Sequence, residues 1–180
     1  SQNSSQLQQV QQLADGLDVE FQRIQTQVEN AGFSEASGRL LREQRAQLPD
    51  VAKRSRNIRA RQPESRNVRF EIYAYQEQWS GLASIDEAVK RELEKLGVAA
   101  TPALEEEVKG LLEQRRAVLR KLVDDHQEYS KQLLKLDVEE QHLIDTARQF
   151  REFINSHVLW IPSAAPLSTN DLGPASDGVA

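Results

Sequence analysis

Residues 101–157 read TPALEEEVKGLLEQRRAVLRKLVDDHQEYSKQLLKLDVEEQHLIDTARQFREFINSH. The stretch contains a single Gly and, after position 102, no Pro, and one row of positions recurs every three or four residues, as on one face of an α-helix. The pattern predicts one helix from residue 102 to about residue 157, roughly 80 Å long at about 1.5 Å per residue. The positions of this row are Leu119, Leu122, His126, Tyr129, Leu133, Leu136, Glu140, Leu143, Ala147, Phe150 and Ile154.

The start of this helix carries three local signals. Thr101 is suited to cap the helix, Pro102 to occupy its first position, and Glu105 to face the positive end of the helix dipole. These signals define the helix start at Pro102 more strongly than any other start in the chain.

A second periodic segment lies at the beginning of the chain. Its apolar residues alternate steps of three and four through three heptads, which is the spacing of coiled-coil a and d positions. We expect a helix from about Ser5 to Glu29 that ends near Gly32. The seam positions are Leu7, Val10, Ala14, Leu17, Phe21, Ile24 and Val28.

Shorter helices are expected between these two segments. Ser34 is a candidate N-cap for a helix that Pro49 either kinks or stops. Helix is expected to resume after Pro63 and to reach about Trp79, with Gly81 as the break, and whether Pro63 kinks one helix or separates two stays open.

One further short helix is expected before the long one. Ser84-x-x-Glu87 has the spacing of a capping box, and Gly97 is a natural C-terminal stop. The predicted apolar stripe of this helix comprises Ile85, Val89, Leu93 and Leu96.

These segments together predict an all-α fold. The expected architecture is an elongated antiparallel coiled-coil or spectrin-like helical bundle with one very long C-terminal helix. Residues 1–162 would form this domain. Residues 163–180 are rich in Ser, Ala, Pro, Gly and Asp, and we expect them to form a linker toward a further part of the protein.

The composition limits the possible chemistry. Cys is absent from the 180 residues, which excludes disulfides, thiolate metal sites and a cysteine nucleophile. Met is absent even at position 1, so we expect a removed signal peptide or an excised part of a longer chain. No apolar stretch approaches the length of a membrane-spanning helix.

No enzyme is predicted from this sequence, and no cofactor or small-molecule substrate. Glu139-x-x-His142 has the spacing used in di-iron bundles, but such sites need two copies of this motif. His126, His142 and His157 lie too far apart along one helix to share a metal ion, and His126 is better explained as a hydrogen-bonded residue of the helix seam. Gly-rich phosphate-binding loops are also missing.

Charge is distributed unevenly along the chain. Residues 39–71 carry ten basic and four acidic side chains, whereas residues 1–38 carry one basic and five acidic, and residues 72–180 twelve basic and nineteen acidic. The favoured interpretation is that the basic residues pair with the acidic helices of the same bundle. The alternative is a surface that binds anionic headgroups or nucleic acid, and a pI near 5.3 argues against nucleic acid.

Two regions are candidate interfaces. The first comprises the arginines Arg54, Arg56 and Arg59 together with Trp79, a large aromatic at a predicted helix end. The second is an apolar cluster where the long helix should end, and it is suited to dock on another domain. Its residues are Leu159, Trp160, Ile161 and Pro162.

Three passages resemble a known family. They are Phe150-Arg151-Glu152-Phe153-Ile154 followed by Leu159-Trp160-Ile161-Pro162-Ser163 and Pro166-Leu167, then Leu40-Leu41-Arg42-Glu43-Gln44-Arg45 with Leu48-Pro49, and more weakly Val68-Arg69-Phe70-Glu71-Ile72. They resemble the periplasmic helical, porin-like domain of large mechanosensitive channels of the small-conductance superfamily, in the group of the potassium-dependent channel. The resemblance covers roughly residues 40–167.

The resemblance implies a periplasmic segment of a bacterial inner-membrane protein. Channels of this family open under membrane tension and release solutes during hypo-osmotic shock. The implied partners are other subunits of the same channel, and the membrane would be reached through a downstream part outside this chain. A coiled-coil adaptor or scaffold without channel activity is the alternative that the heptads and the basic segment fit equally well.

Overall fold

The computed structural model describes residues 2–32, 34–97 and 101–158, and within them it forms five α-helices and no β-strand. The helices are α1 (Gln2–Ala31), α2 (Glu35–Gln47), α3 (Val51–Ser80), α4 (Ile85–Leu96) and α5 (Pro102–Val158). The all-α fold class and the very long C-terminal helix, which has 57 residues, are therefore confirmed. The predicted linker at residues 163–180 lies outside the described residues.

The chain divides into two compact units, and α1 and α5 supply residues to both. Unit 1 comprises Ser1–Ala14 and Ala52–Leu143. Its α3 runs antiparallel to α5, because Arg61 contacts Asp137 whereas Glu71, later in α3, contacts the earlier α5 residue His126. The core of unit 1 lies between α4 and the first third of α5. It contains Leu82, Ala88, Val89, Leu93, Leu112 and Leu119.

Unit 2 comprises Asp15–Val51 and Ile144–Ala180, of which the structure describes residues up to 158. Here α1 runs parallel to α5, because Asp18 accepts a hydrogen bond from Thr146 and Phe21 stacks on Phe150. The core of unit 2 brings α1, α2 and α5 together. It contains Ile24, Val28, Leu41, Phe150 and Ile154.

The apolar seams predicted from the sequence are the buried faces of α1 and α5. Of the seven heptad positions in α1, Val10, Ala14, Ile24 and Val28 are at most 5% exposed, and the other three are half-buried. Every α5 position of the predicted row is buried or half-buried. These faces are buried because apolar side chains at steps of three and four share one side of a helix.

Several predicted helix ends are also observed. The Ser34 side chain accepts a hydrogen bond from the Ser37 backbone N–H at 3.2 Å. Pro49 lies between α2 and α3, so it stops a helix rather than kinking one. Gly97 adopts φ 63° at the end of α4, a left-handed conformation that favours glycine.

One open question is decided, and two local predictions were wrong. α3 continues through Pro63, so this proline lies inside one helix and does not separate two. Ser84 does occupy the N-cap position of α4, but its side chain makes no capping hydrogen bond. Leu96 was predicted to belong to the apolar stripe of α4, but its side chain is 66% exposed because Leu96 is the last residue of the helix.

Candidate functional site

The residues considered for metal chemistry do not converge. Among the described residues there is no group of three or more His, Cys, Asp or Glu side chains placed to hold a metal ion. Glu139 accepts a hydrogen bond from Gln11 at 3.2 Å, and His142 is exposed with interactions of its own. Glu139 and His142 are therefore surface residues of α5 in this part of the chain.

His126 occupies the seam between α3 and α5 of unit 1. Its Nδ1–H donates to the Leu122 carbonyl at 2.8 Å, and its Nε2 lies 3.2 Å from a carboxylate oxygen of Glu71. The ring also packs edge-on against Tyr75, with 5.1 Å between centroids. These contacts occupy both ring nitrogens, as expected for a hydrogen-bonded seam residue.

The most deeply buried charge of unit 1 is Glu140, which is 2% exposed. Arg61 lies beside it, with Nη2 at 2.5 Å from Glu140 and at 2.7 Å from Asp137. Arg54 contacts the other Glu140 oxygen at 3.4 Å. A buried carboxylate is tolerated when cations and hydrogen bonds compensate its lost hydration, and both are present here.

The pKa of Arg61 reflects the same balance. Burial alone lowers the pKa of this guanidinium, but hydrogen bonds to Glu140 and Asp137 outweigh it and raise the pKa above the ordinary value. The guanidinium of Arg61 therefore keeps its positive charge beside Glu140. The four residues Arg54, Arg61, Asp137 and Glu140 form what we call the α3–α5 ion network.

The arginines predicted as interface candidates differ in whether they take part in this network. Arg54 faces α5 and belongs to the network, whereas Arg56 and Arg59 are exposed. The predicted pairing of basic residues with acidic helices is thus observed for Arg54 and Arg61, whereas Arg56 and Arg59 make no ion pair among the described residues. Trp79, the aromatic candidate, is 37% exposed near the end of α3. The other candidates, Leu159, Trp160, Ile161 and Pro162, lie outside the described residues.

A row of exposed residues follows the side of α3 that carries no core contacts. Its positions alternate steps of three and four, so they lie on one face of the helix. Phe70 and Tyr73 are 72% and 69% exposed, which is unusual for aromatic side chains. We call this row the α3 outer face. It comprises Arg56, Arg59, Pro63, Arg66, Phe70 and Tyr73.

A groove borders the α3 outer face where α3 meets α5. It has a volume of about 350 Å³, and Arg66 and Arg69 contribute cationic groups to its lining. The α5 side of the groove contributes Asp137 and Leu134, and the latter is 65% exposed. The groove is partly open to solvent and has charged and hydroxyl-bearing residues in its lining, unlike the apolar, enclosed pockets that usually hold small-molecule ligands.

In unit 2 the notable feature is an aromatic cluster. Phe21 stacks on Phe150 with 4.8 Å between ring centroids and meets Phe153 edge-on at 5.8 Å. Leu40 and Leu48 pack against the same core, in which Leu41 is fully buried. Two passages that carry the family resemblance, residues 40–49 and 150–154, are therefore in contact.

Sequence reasoning missed the acidic half of the ion network. Glu140 stands in the predicted apolar row of α5, so an acid in that row was a signal that a cation must approach it. Asp137, one turn earlier, gave no comparable signal. Phe70 and Tyr73 were noticed near the arginines, but their exposure could not be read from the sequence.

No helix among the described residues is both long and apolar enough to cross a membrane. Comparisons with family models, with curated proteins and with solved structures found no match to this chain.

Proposed function

We propose that this chain is a periplasmic, extramembrane domain of a mechanosensitive channel, accessory to tension-gated solute release under hypo-osmotic shock. The observation that carries the proposal is the contact between two passages that resemble the channel family. Leu41, in the Leu-Leu-Arg-x-Gln-Arg passage, is fully buried with Phe150 and Ile154 of the Phe-Arg-x-Phe-Ile passage. Residues 109 positions apart in the chain thus share one core, as residues of one structural motif would.

The charges and polar contacts support a role in transmitting mechanical force. The α3–α5 ion network links two helices through a buried acid, and in the proposed role it holds these helices in one register. A helix pair with a fixed register transmits displacement along its axis with little slippage. An accessory domain coupled to membrane tension requires this property.

The proposal assigns no chemistry to the chain and no ligand to its groove. The domain would act through helix packing and through assembly with other subunits of the same channel. The residues that follow the long helix, including Trp160, would lead toward the membrane part of the protein.

The test begins with the reading frame that encodes the chain. We expect the frame to continue into several apolar stretches of about 20 residues. The full-length product should fractionate with the inner membrane, and protease added to the periplasm should cleave it within residues 1–180.

The functional assay is survival of an abrupt dilution of the medium by a bacterial strain that lacks its own mechanosensitive channels. Expression of the full-length protein should restore survival. A frame that lacks membrane-spanning stretches, or a soluble product, would instead favour the coiled-coil scaffold, to which the α1 heptads are equally suited.

A further inference from the structure

The α3 outer face has a composition that neither the core of unit 1 nor the proposed channel role explains. Arg56, Arg59 and Arg66 are exposed, and none of them has an ion-pair partner among the described residues. Phe70 and Tyr73 continue the same row and place two rings in solvent. Exposed aromatic rings cost free energy in water, so a face that combines them with free cations indicates a binding surface.

The acidic residues of this part of α3 do not neutralise the face. Glu64 accepts a hydrogen bond from Tyr129, and Glu71 lies 3.2 Å from the His126 ring. Both acids therefore reach toward α5, away from the row of arginines. The outer face keeps a positive charge although the whole chain carries −5.

The combination of cationic and aromatic side chains on the α3 outer face is suited to one class of binding partner. We infer that the α3 outer face binds the surface of an anionic phospholipid bilayer, with the arginines at the headgroups and the two rings at the boundary of the acyl chains. Helices that lie in a membrane interface combine basic residues with aromatic residues in this way. From Arg56 to Tyr73 the row extends about 25 Å at about 1.5 Å per residue, so one straight helix face would lie along the bilayer.

The groove beside the face adds to its capacity for phosphate groups. Arg66 and Arg69 line it, together with the hydroxyl-bearing residues Ser65 and Ser130, and the acid Asp137, which also lines it, is paired with Arg61. Guanidinium and hydroxyl groups are the usual donors to phosphate oxygens. Exposed Leu134 gives the groove an apolar wall next to these donors.

Co-sedimentation of the 180-residue chain with vesicles tests the inference. Vesicles of phosphatidylglycerol and phosphatidylcholine should retain the chain, vesicles of phosphatidylcholine alone should not, and added NaCl should weaken retention through screening. In the variant Arg56→Gln, Arg59→Gln and Arg66→Gln, partitioning should fall about a hundredfold, because each cation near an anionic surface contributes about fivefold.

A matched control removes the same charge elsewhere in unit 1. Arg120, Lys121 and Lys131 are exposed on α5, and their replacement by Gln should leave partitioning nearly unchanged. The second variant, Phe70→Ser with Tyr73→Ser, keeps every charge and should weaken binding by removing the rings. Helical content measured by circular dichroism should be equal in all variants, because each substitution is at an exposed position.

Five results would overturn the inference. The first four are an absence of vesicle binding, an equal loss in the control variant, unchanged binding in the Phe70→Ser, Tyr73→Ser variant, and tight binding of soluble polyphosphate without vesicle binding. A change of molar mass in light scattering, with no effect on vesicles, would assign the face to a second copy of the chain and would also overturn it. None of these assays depends on channel activity, so they are independent of the test of the proposed function.

Discussion

Glu140 shows how a single residue constrains two helices. Its carboxylate is almost fully buried in unit 1, so it must remain beside the guanidinium groups of Arg61 and Arg54. Displacing α3 along α5 by one turn would remove those partners and leave an uncompensated charge. The network therefore discriminates against misregistered packing of α3, whose one buried apolar residue, Val68, is 5% exposed.

Removing Arg61 should destabilise the protein strongly. Arg61→Met is expected to lower the free energy of unfolding by about 3 kcal/mol, because Glu140 would keep its burial and lose its closest cation. Combining Arg61→Met with Glu140→Leu should recover most of this loss, since no buried charge would remain. Urea unfolding followed by circular dichroism measures both variants.

Arg59→Met is the matched control for Arg61→Met. Arg59 is exposed on the same helix and has no ion-pair partner among the described residues, so its replacement should change stability by less than about 0.5 kcal/mol. If the double variant were as unstable as Arg61→Met alone, the buried charge would not be the cause of the loss.

Tyr129 should titrate at high pH because of its contact with Glu64. The hydrogen bond to that carboxylate, followed by burial, raises the pKa of Tyr129 above 10.0. The folded-state pKa is raised, so this contact contributes its full stability below pH 10.0 and loses it as the pH rises through the folded-state pKa. Absorbance titration of the phenolate should show a component above pH 10.0 that is missing from Tyr129→Phe.

Glu64→Gln is the second variant for this contact. Removing the carboxylate charge should lower the pKa of Tyr129 toward its ordinary value while keeping the ring in place. An unchanged titration curve in Glu64→Gln would mean that burial, rather than the hydrogen bond, sets the pKa.

At the scale of elements, α3 contains a proline in its interior that destabilises the helix. Pro63 lies in the interior of the helix, is exposed, and cannot donate a hydrogen bond to the carbonyl four residues earlier, that of Arg59. Pro63→Ala should therefore stabilise the protein by about 2 kcal/mol, as judged from thermal unfolding. The control Asn67→Ala, one turn later on the exposed side of α3, should stabilise it by no more than about 0.7 kcal/mol. A destabilised Pro63→Ala protein would contradict this account.

Two glycines of unit 1 should respond oppositely to the same substitution. Gly97 ends α4 with φ 63°, whereas Gly110 lies inside α5, and a Cβ at either position would meet no atom within 4 Å. Gly97→Ala should cost about 1 kcal/mol because alanine disfavours the left-handed conformation, and Gly110→Ala should add about 1 kcal/mol because alanine favours helix. Thermal unfolding of both variants measures the pair, and equal signs would show that backbone conformation does not determine the effect.

The elements differ in how far the sequence could predict them. α1 and α5 have regular apolar rows, so most positions of their buried faces were predicted. In α3 the inward row is interrupted by Arg54 and Arg61, which lie four and three residues from half-buried Ile58. No helical row was predicted before Pro63, so the inward placement of these two arginines and the outward placement of Arg56 and Arg59 were not anticipated. The sequence also could not decide whether Pro63 breaks the helix, because the interactions of a helix with its neighbours can outweigh the cost of one missing hydrogen bond.

At the scale of the whole molecule, the all-α class followed from periodicity, but the division into two units did not. The heptads of α1 run without interruption past residue 14, where the unit boundary falls. In unit 2 the α1 seam is covered by α2, whose Leu41 shares a core with Ile24 and Val28. Which helix covers which part of a continuous seam depends on contacts between distant residues, and one sequence does not reveal them.

The two hydrophobic cores share no residue, so each should fail separately when it is damaged. Phe150→Ala removes a fully buried ring from unit 2 and should cost about 3–5 kcal/mol. In hydrogen-exchange measurements the backbone amides of α2 should then lose protection first, because Leu41 of α2 lies in the same core cluster as Phe150. Leu119→Ala, the corresponding change in unit 1, should instead lower protection first in α4, whose Val89 and Leu93 lie in its cluster. If both variants exposed the same amides to the same extent, the chain would unfold as one cooperative body, and the separation of the cores would have no energetic meaning.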